Sequence, residues 1–140
     1  MRLIVLVLNC GSSSVKFQVI EPYLETPSQE RDRRLARGTV AHLGGEATVT
    51  FQAEGGSERR SREPVLDHGA AVRRILMWTA STEGATPDGA LRAVGHRAVH
   101  GGERFTESVL IDEKVLATIE QLDELAPLHL DKFLSMTIRC

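Results

Sequence analysis

Six consecutive apolar residues, Leu3-Ile4-Val5-Leu6-Val7-Leu8, run into Asn9-Cys10-Gly11-Ser12-Ser13-Ser14, and Val15, Phe17 and Val19 then alternate with Lys16 and Gln18. A run apolar at every position suits a central strand covered on both faces, and the segment after it is rich in turn formers. The period of two that follows puts Val15, Phe17 and Val19 on one face and Lys16 on the other. The pattern predicts an amino-terminal β-hairpin closed by residues 9–14, which commits the chain to a sheet. The apolar run is too short for a spanning helix or for the apolar region of a signal peptide.

The rest of the chain fills out a mixed α/β domain. Residues 21–34 are polar, with Pro22, Pro27 and a dense Arg and Glu run, and read as a solvated connection. A strand through Leu35–Leu43, the Gly44-Gly45 turn and alternating Ala47, Val49, Phe51 and Ala53 predict a second hairpin. Gly55-Gly56 makes a further turn, and Ser57–Glu63 reads as a polar edge strand or as loop. Asp67 suits the N-cap of a helix carrying Ala71, Val72, Ile75, Leu76 and Trp78 at helical spacing. Pro87, within Gly84–Gly89, ends it; Leu91–His100 is short enough for a strand, and Val115, Leu116, Ile119 and Leu122 mark one face of a second helix. Asp112 and Glu113 sit near that helix's positive end. There is no internal repeat, heptad pattern or low-complexity tract.

Charge narrows the function classes. The 140 residues hold 17 Lys and Arg against 19 Asp and Glu, a formal net charge of −2. That balance disfavours nucleic acid or an anionic membrane as a partner bound by bulk charge. The expected location is cytoplasmic. Cys10 and Cys140 offer neither metal-ligand spacing nor a disulfide framework. With aromatic residues at 4%, the core must be built mainly from Val, Leu, Ile and Ala.

Three segments have the residue types for chemistry. Asn9–Ser14 offers backbone amides and three hydroxyls in a tight loop, with Lys16 behind it, a combination that suits phosphate. It is not a Walker A loop, whose glycines and Lys-Ser or Lys-Thr ending are absent. In Gly95–Phe105, if 93–99 is a strand, Arg97 and Val99 share one face, so a guanidinium fork sits beside an apolar surface. Such a pair holds a small carboxylate by its head and its alkyl end; the structural reading of Arg97 is an internal ion pair. His96 and His100 are four apart, a spacing that makes a metal site on a helix and not on a strand. Leu125-Ala126-Pro127-Leu128-His129 reads as a chain reversal fixed by Pro127. Cys10 adjoins the Ser-rich turn but has no assignable base, which makes it a packing residue.

Taken together, VLNCGSSSVKF, VGHRAVHGGERF and LAPLH resemble, in order and spacing, the amino-terminal signatures of the acetate kinase family, including its propionate kinases. With DHGAAVRRIL and SVLID the resemblance covers most of residues 1–129. It implies an α/β, actin-like fold, shared with sugar kinases and heat-shock ATPases, of which this chain is the amino-terminal half: a mixed sheet with hairpins and flanking helices. It further implies reversible transfer of the terminal phosphoryl group of ATP to acetate, giving acetyl phosphate and ADP with Mg2+. Carried over, Asn9 stands near the magnesium and phosphates, Ser12 and Ser14 face phosphate, and Lys16 contacts ATP. Arg97 holds the acetate carboxylate or the phosphoryl group in transfer, Val99 and Leu128 line the methyl pocket, and His129 lies close by. Acetate against propionate stays open, since one methylene in an apolar pocket is worth only about 1–3 kcal/mol.

After His129 the family pattern of Asn and Pro is replaced by Leu130–Cys140. Residues 1–129 therefore read as the domain and 130–140 as a divergent tail, either the product of a truncated or shifted reading frame or a genuine terminus. The family's catalytic Asp, its second substrate Arg, its magnesium-binding Glu and its adenosine pocket are expected further along a family chain. Two functions are consistent with this: one half of a carboxylate kinase, with little activity alone, or a non-catalytic remnant that binds an anion or a partner protein. Family members are homodimers through a surface mostly outside this portion, so oligomeric state does not carry over.

Overall fold

A computed structural model describes residues 3–25, 31–81, 83–86, 91–96 and 109–122, the last four of these by backbone alone. In chain order the elements are β1 (Ile4–Cys10), β2 (Ser14–Glu21), β3 (Arg33–Ala41), β4 (Gly45–Ala53), β5 (Arg59–Val65), α1 (His68–Thr79), β6 (Leu91–His96) and α2 (Glu113–Leu122). One mixed sheet runs β5-β4-β3-β2-β1-β6. The first five strands are antiparallel neighbours in sequence, and β6 joins β1 in parallel.

The period of two decides which face is the core. Leu8 pairs with Phe17 in β1–β2, and Phe17, Gly38 and Phe51 are opposed across β2, β3 and β4. Ile4, Leu6, Leu8, Val15, Phe17, Val19, Val40, Val49 and Phe51 are all buried on this face. Phe17, Phe51 and Trp78 of α1 stack into one aromatic cluster, so the core is aliphatic around a small aromatic centre. A bulge in the β2–β3 register at Val19/Ile20 leaves Leu35 as an extra residue, and Leu35 and Ala36 are both buried.

Helix α1 lies over this face with Ala71, Val72, Ile75 and Trp78 buried beneath it. Its N-cap is Asp67, whose Oδ1 accepts the Ala70 N–H at 2.7 Å. Asp112 caps α2 in the same way, accepting the Val115 N–H at 2.8 Å.

Both hairpins and both helices are found where expected, and Ser57–Glu63, open between edge strand and loop, is a strand from Arg59 onward. Two expectations are refined. The amino-terminal connection is tighter than residues 9–14, because β1 runs to Cys10 and β2 starts at Ser14. The expectation that β1 is covered on both faces is corrected: Leu3, Val5 and Val7 are only half-buried. The reason is that α1 covers one face of the sheet, while the other carries Asn9, Lys16, Gln18 and Arg37. Of the strand expected over Leu91–His100, Leu91–His96 is β6 and the remainder lies outside the described residues.

Candidate functional site

Strand β1 brings Asn9, and β2 brings Ser14 and Lys16, to the face opposite α1. Asn9 and Lys16 are direct cross-strand partners, with Lys16 exposed and Asn9 half-buried. Alternation along β2 sets Ser14, Lys16 and Gln18 on this same face, away from buried Val15 and Phe17. Lys16 forms no ion pair among the described residues, so its ammonium is available to an anion. Ser12 is exposed at the tip of the turn.

Among the described residues, two backbone hydrogen bonds and one side-chain contact hold the turn. Gly11 N–H donates to the Ser14 carbonyl at 2.8 Å, and Leu43 N–H, from the β3–β4 connection, donates to the Ser13 carbonyl at 3.0 Å. The Gly11 carbonyl accepts from His68 Nε2 at 2.8 Å. A Cβ at position 11 would stand 2.8 Å from the Ser14 Oγ, so a larger residue there needs that hydroxyl to rotate away.

A shallow groove of about 510 Å³ crosses the open face, lined among others by Asn9, Lys16, Gln18, Arg37, Thr39 and Thr50 and by no residue of the 11–14 turn. Arg37 adds a second cation, its Nε donating to Gln52 Oε1 at 3.2 Å. Sequence reasoning missed Arg37. Its alternation with Thr39 was readable, but the β2–β3 register that sets Arg37 beside Gln18 and Thr39 beside Lys16 was not. His68 was missed too, because its contact with Gly11 spans 57 residues of sequence.

Cys10 continues the Ile4, Leu6, Leu8 side of β1 and packs against the core, as its packing reading requires. His96 pairs with Leu8 at the end of β6, and burial holds its imidazole pKa below the ordinary value. The structure thus brings Asn9, Ser12, Ser14 and Lys16 together. Arg97, Val99, Leu128 and His129 lie outside the described residues.

A six-stranded mixed sheet with helix α1 packed on one face defines a mixed α/β domain. The sequence pattern of the acetokinase family matches residues 4–137, and the chain belongs to that family. It is 45% identical over 129 residues to an acetate kinase of Solibacter usitatus (strain Ellin6076), covering 89% of this chain and 31% of that protein. An acetate kinase of Chloroherpeton thalassium (strain ATCC 35110 / GB-78) is 43% identical over 134 residues, covering 89% and 32%.

Among solved structures, Porphyromonas gingivalis acetate kinase superposes with a TM-score of 0.80 at 34% identity, covering 98% of this chain and 33% of that one. A propionate kinase from Francisella tularensis subsp. tularensis SCHU S4 superposes at 0.81 and 29% identity, covering 99% and 33%. The chain therefore spans about a third of the length of the relatives it matches, and its fold is that of the amino-terminal, actin-like portion of the family. Among the described residues, no helix is long and apolar enough to cross a membrane.

Proposed function

We propose that this chain supplies the phosphate-facing half of a site for reversible phosphoryl transfer between ATP and acetate, or a similarly short carboxylate. The observation that carries the reading is the Asn9–Lys16 pair beside the braced Gly11–Ser14 turn on the open sheet face. Phosphoryl transfer depends on positioning and on neutralising the charge of the transferred group, work suited to an ammonium, hydroxyls and backbone amides. Lys16 supplies the point charge, and Ser12 and Ser14 supply donors. Arg97, which follows His96 in sequence, is proposed to take the carboxylate or the phosphoryl group in transfer, with Val99 and Leu128 lining the methyl pocket and His129 beside it.

Mg2+ fits the donor set in one particular mode. It keeps several waters and takes one or two protein oxygens together with substrate phosphates. The Asn9 side-chain carbonyl suits that role, and among the described residues no group of three or more His, Cys, Asp or Glu offers an all-protein cage. When bound, the ion would neutralise phosphate charge.

Titrating MgATP into the 140-residue chain tests the reading. Saturable binding, weakened by Lys16→Ala and by Ser12→Ala, is expected; absence of binding overturns it. The chain alone is expected to make little or no acetyl phosphate, because groups on one side of the phosphoryl leave most of the positioning undone. Acetyl phosphate formation that Arg97→Ala abolishes would overturn that second expectation.

A further inference from the structure

We propose that His68 is a positioning residue: it sets the orientation of the Gly11–Ser12 peptide, and through it the direction in which the Ser12 amide points. The inference rests on the reading of this turn as a phosphate site and names a residue that acts on it from the opposite face of the sheet.

His68 is the first residue of α1 and is only 8% exposed. Its Nε2 lies 2.8 Å from the Gly11 carbonyl oxygen. A carbonyl only accepts, so Nε2 carries the proton and donates. A leucine would fill this space with comparable apolar contact; what imidazole adds is a donor aimed at one atom of the turn. Gly11 lies just beyond Cys10↔Val15, the last β1–β2 pair, where the strand ladder no longer dictates the direction of the peptide planes.

The Gly11 carbonyl and the Ser12 N–H belong to one planar trans peptide, so they point in opposite directions. With the oxygen held toward α1, the Ser12 N–H is turned away from the helix. The Leu43 N–H on the Ser13 carbonyl and the Gly11 N–H on the Ser14 carbonyl brace the rest of the loop. Of these three contacts, the one from His68 is made by a side chain. It is anchored in turn by Asp67, whose carboxylate caps the same first turn of α1.

Three measurements on the 140-residue chain test this. The wild-type 15N imidazole spectrum should show His68 with Nε2 protonated near neutral pH; an unprotonated Nε2 overturns the proposal without recourse to any variant. In His68→Leu, amide exchange at Gly11 should accelerate roughly tenfold while Leu6 and Val19 stay at wild-type rates, and His68→Gln, which keeps a donor, should recover most of the protection. Unchanged Gly11 exchange, or acceleration spread equally over Leu6 and Val19, overturns it.

The third measurement is the Ser12 amide shift on adding MgATP, expected in the wild type, lost in His68→Leu and regained in His68→Gln. A wild-type shift that survives in His68→Leu overturns the proposal. If Gly11 exchange responds but wild type binds no MgATP, the role of His68 in orienting the turn stands, and the reading of the turn as a nucleotide site is what fails.

Discussion

Phe17 and Phe51 meet edge to face across Gly38, with ring centroids 5.4 Å apart and an interplanar angle of 77°. The contact exists because Gly38 lies between them in register: a Cβ there would stand 2.3 Å from the Thr50 carbonyl oxygen, 2.5 Å from Phe17 and 2.8 Å from Phe51. Gly38→Ala should therefore destabilise the domain by about 1–3 kcal/mol, the usual effect of overpacking. Gly45→Ala, with nothing within 4 Å of the added Cβ, is the control. Urea unfolding of the two variants, with Gly38→Ala no less stable than Gly45→Ala, would contradict this account.

Arg74 ties the sheet edge to α1. Its Nε donates to Glu63 of β5, and its guanidinium lies over the Phe51 ring, 5.1 Å from the centroid. Arg74→Lys keeps the charge but loses the planar group that both stacks and donates, so it should cost roughly 0.5–1 kcal/mol. Thermal unfolding that ranks Arg74→Lys with wild type would show the ring contact to be idle.

Lys16 is exposed and should matter to ligand rather than to stability. Lys16→Met is expected to leave the urea midpoint within about 0.5 kcal/mol of wild type. It should weaken MgATP by about tenfold or more, the effect of losing one charge-assisted contact. Equal affinities in a direct titration would remove Lys16 from the site.

His96 makes stability depend on pH. Burial lowers its pKa in the folded state, so between that value and the ordinary value of about 6.5 the unfolded chain binds more protons. Stability should rise with pH through this window: the contribution is present above about pH 6.5 and is lost as pH falls through the folded-state value. Comparing urea midpoints at about pH 7.5 and about pH 5.5 should show the loss, and His96→Gln should flatten it. A difference of the same size in His96→Gln would assign the effect elsewhere.

Much of the fold was legible because its information is local. The alternation around Val15, Phe17 and Val19 named the core face and put Lys16 opposite it, and Asp67 announced α1. Of the candidate site, the part that falls on described residues was legible along β1 and β2, where Asn9 and Lys16 sit on one hairpin. Arg37 depends on strand register and His68 on how a helix docks against a loop, and neither is written in the neighbouring residues. The same limit explains Val5 and Val7. Their hydrophobicity announces a strand, but how far each face is covered depends on elements elsewhere in the chain.

The parallel pairing of β6 with β1 bears on how the chain assembles. β1 to β5 can be laid down hairpin by hairpin in the order of synthesis, whereas the partner of Ile4 is Leu91. Until that segment emerges, one side of β1 presents a row of unsatisfied backbone groups, a template on which a second nascent copy could add a strand. Among the described strands, the one that carries Asn9 is thus the first made and the last to gain its second neighbour, and it is open to self-association for as long as β6 is delayed.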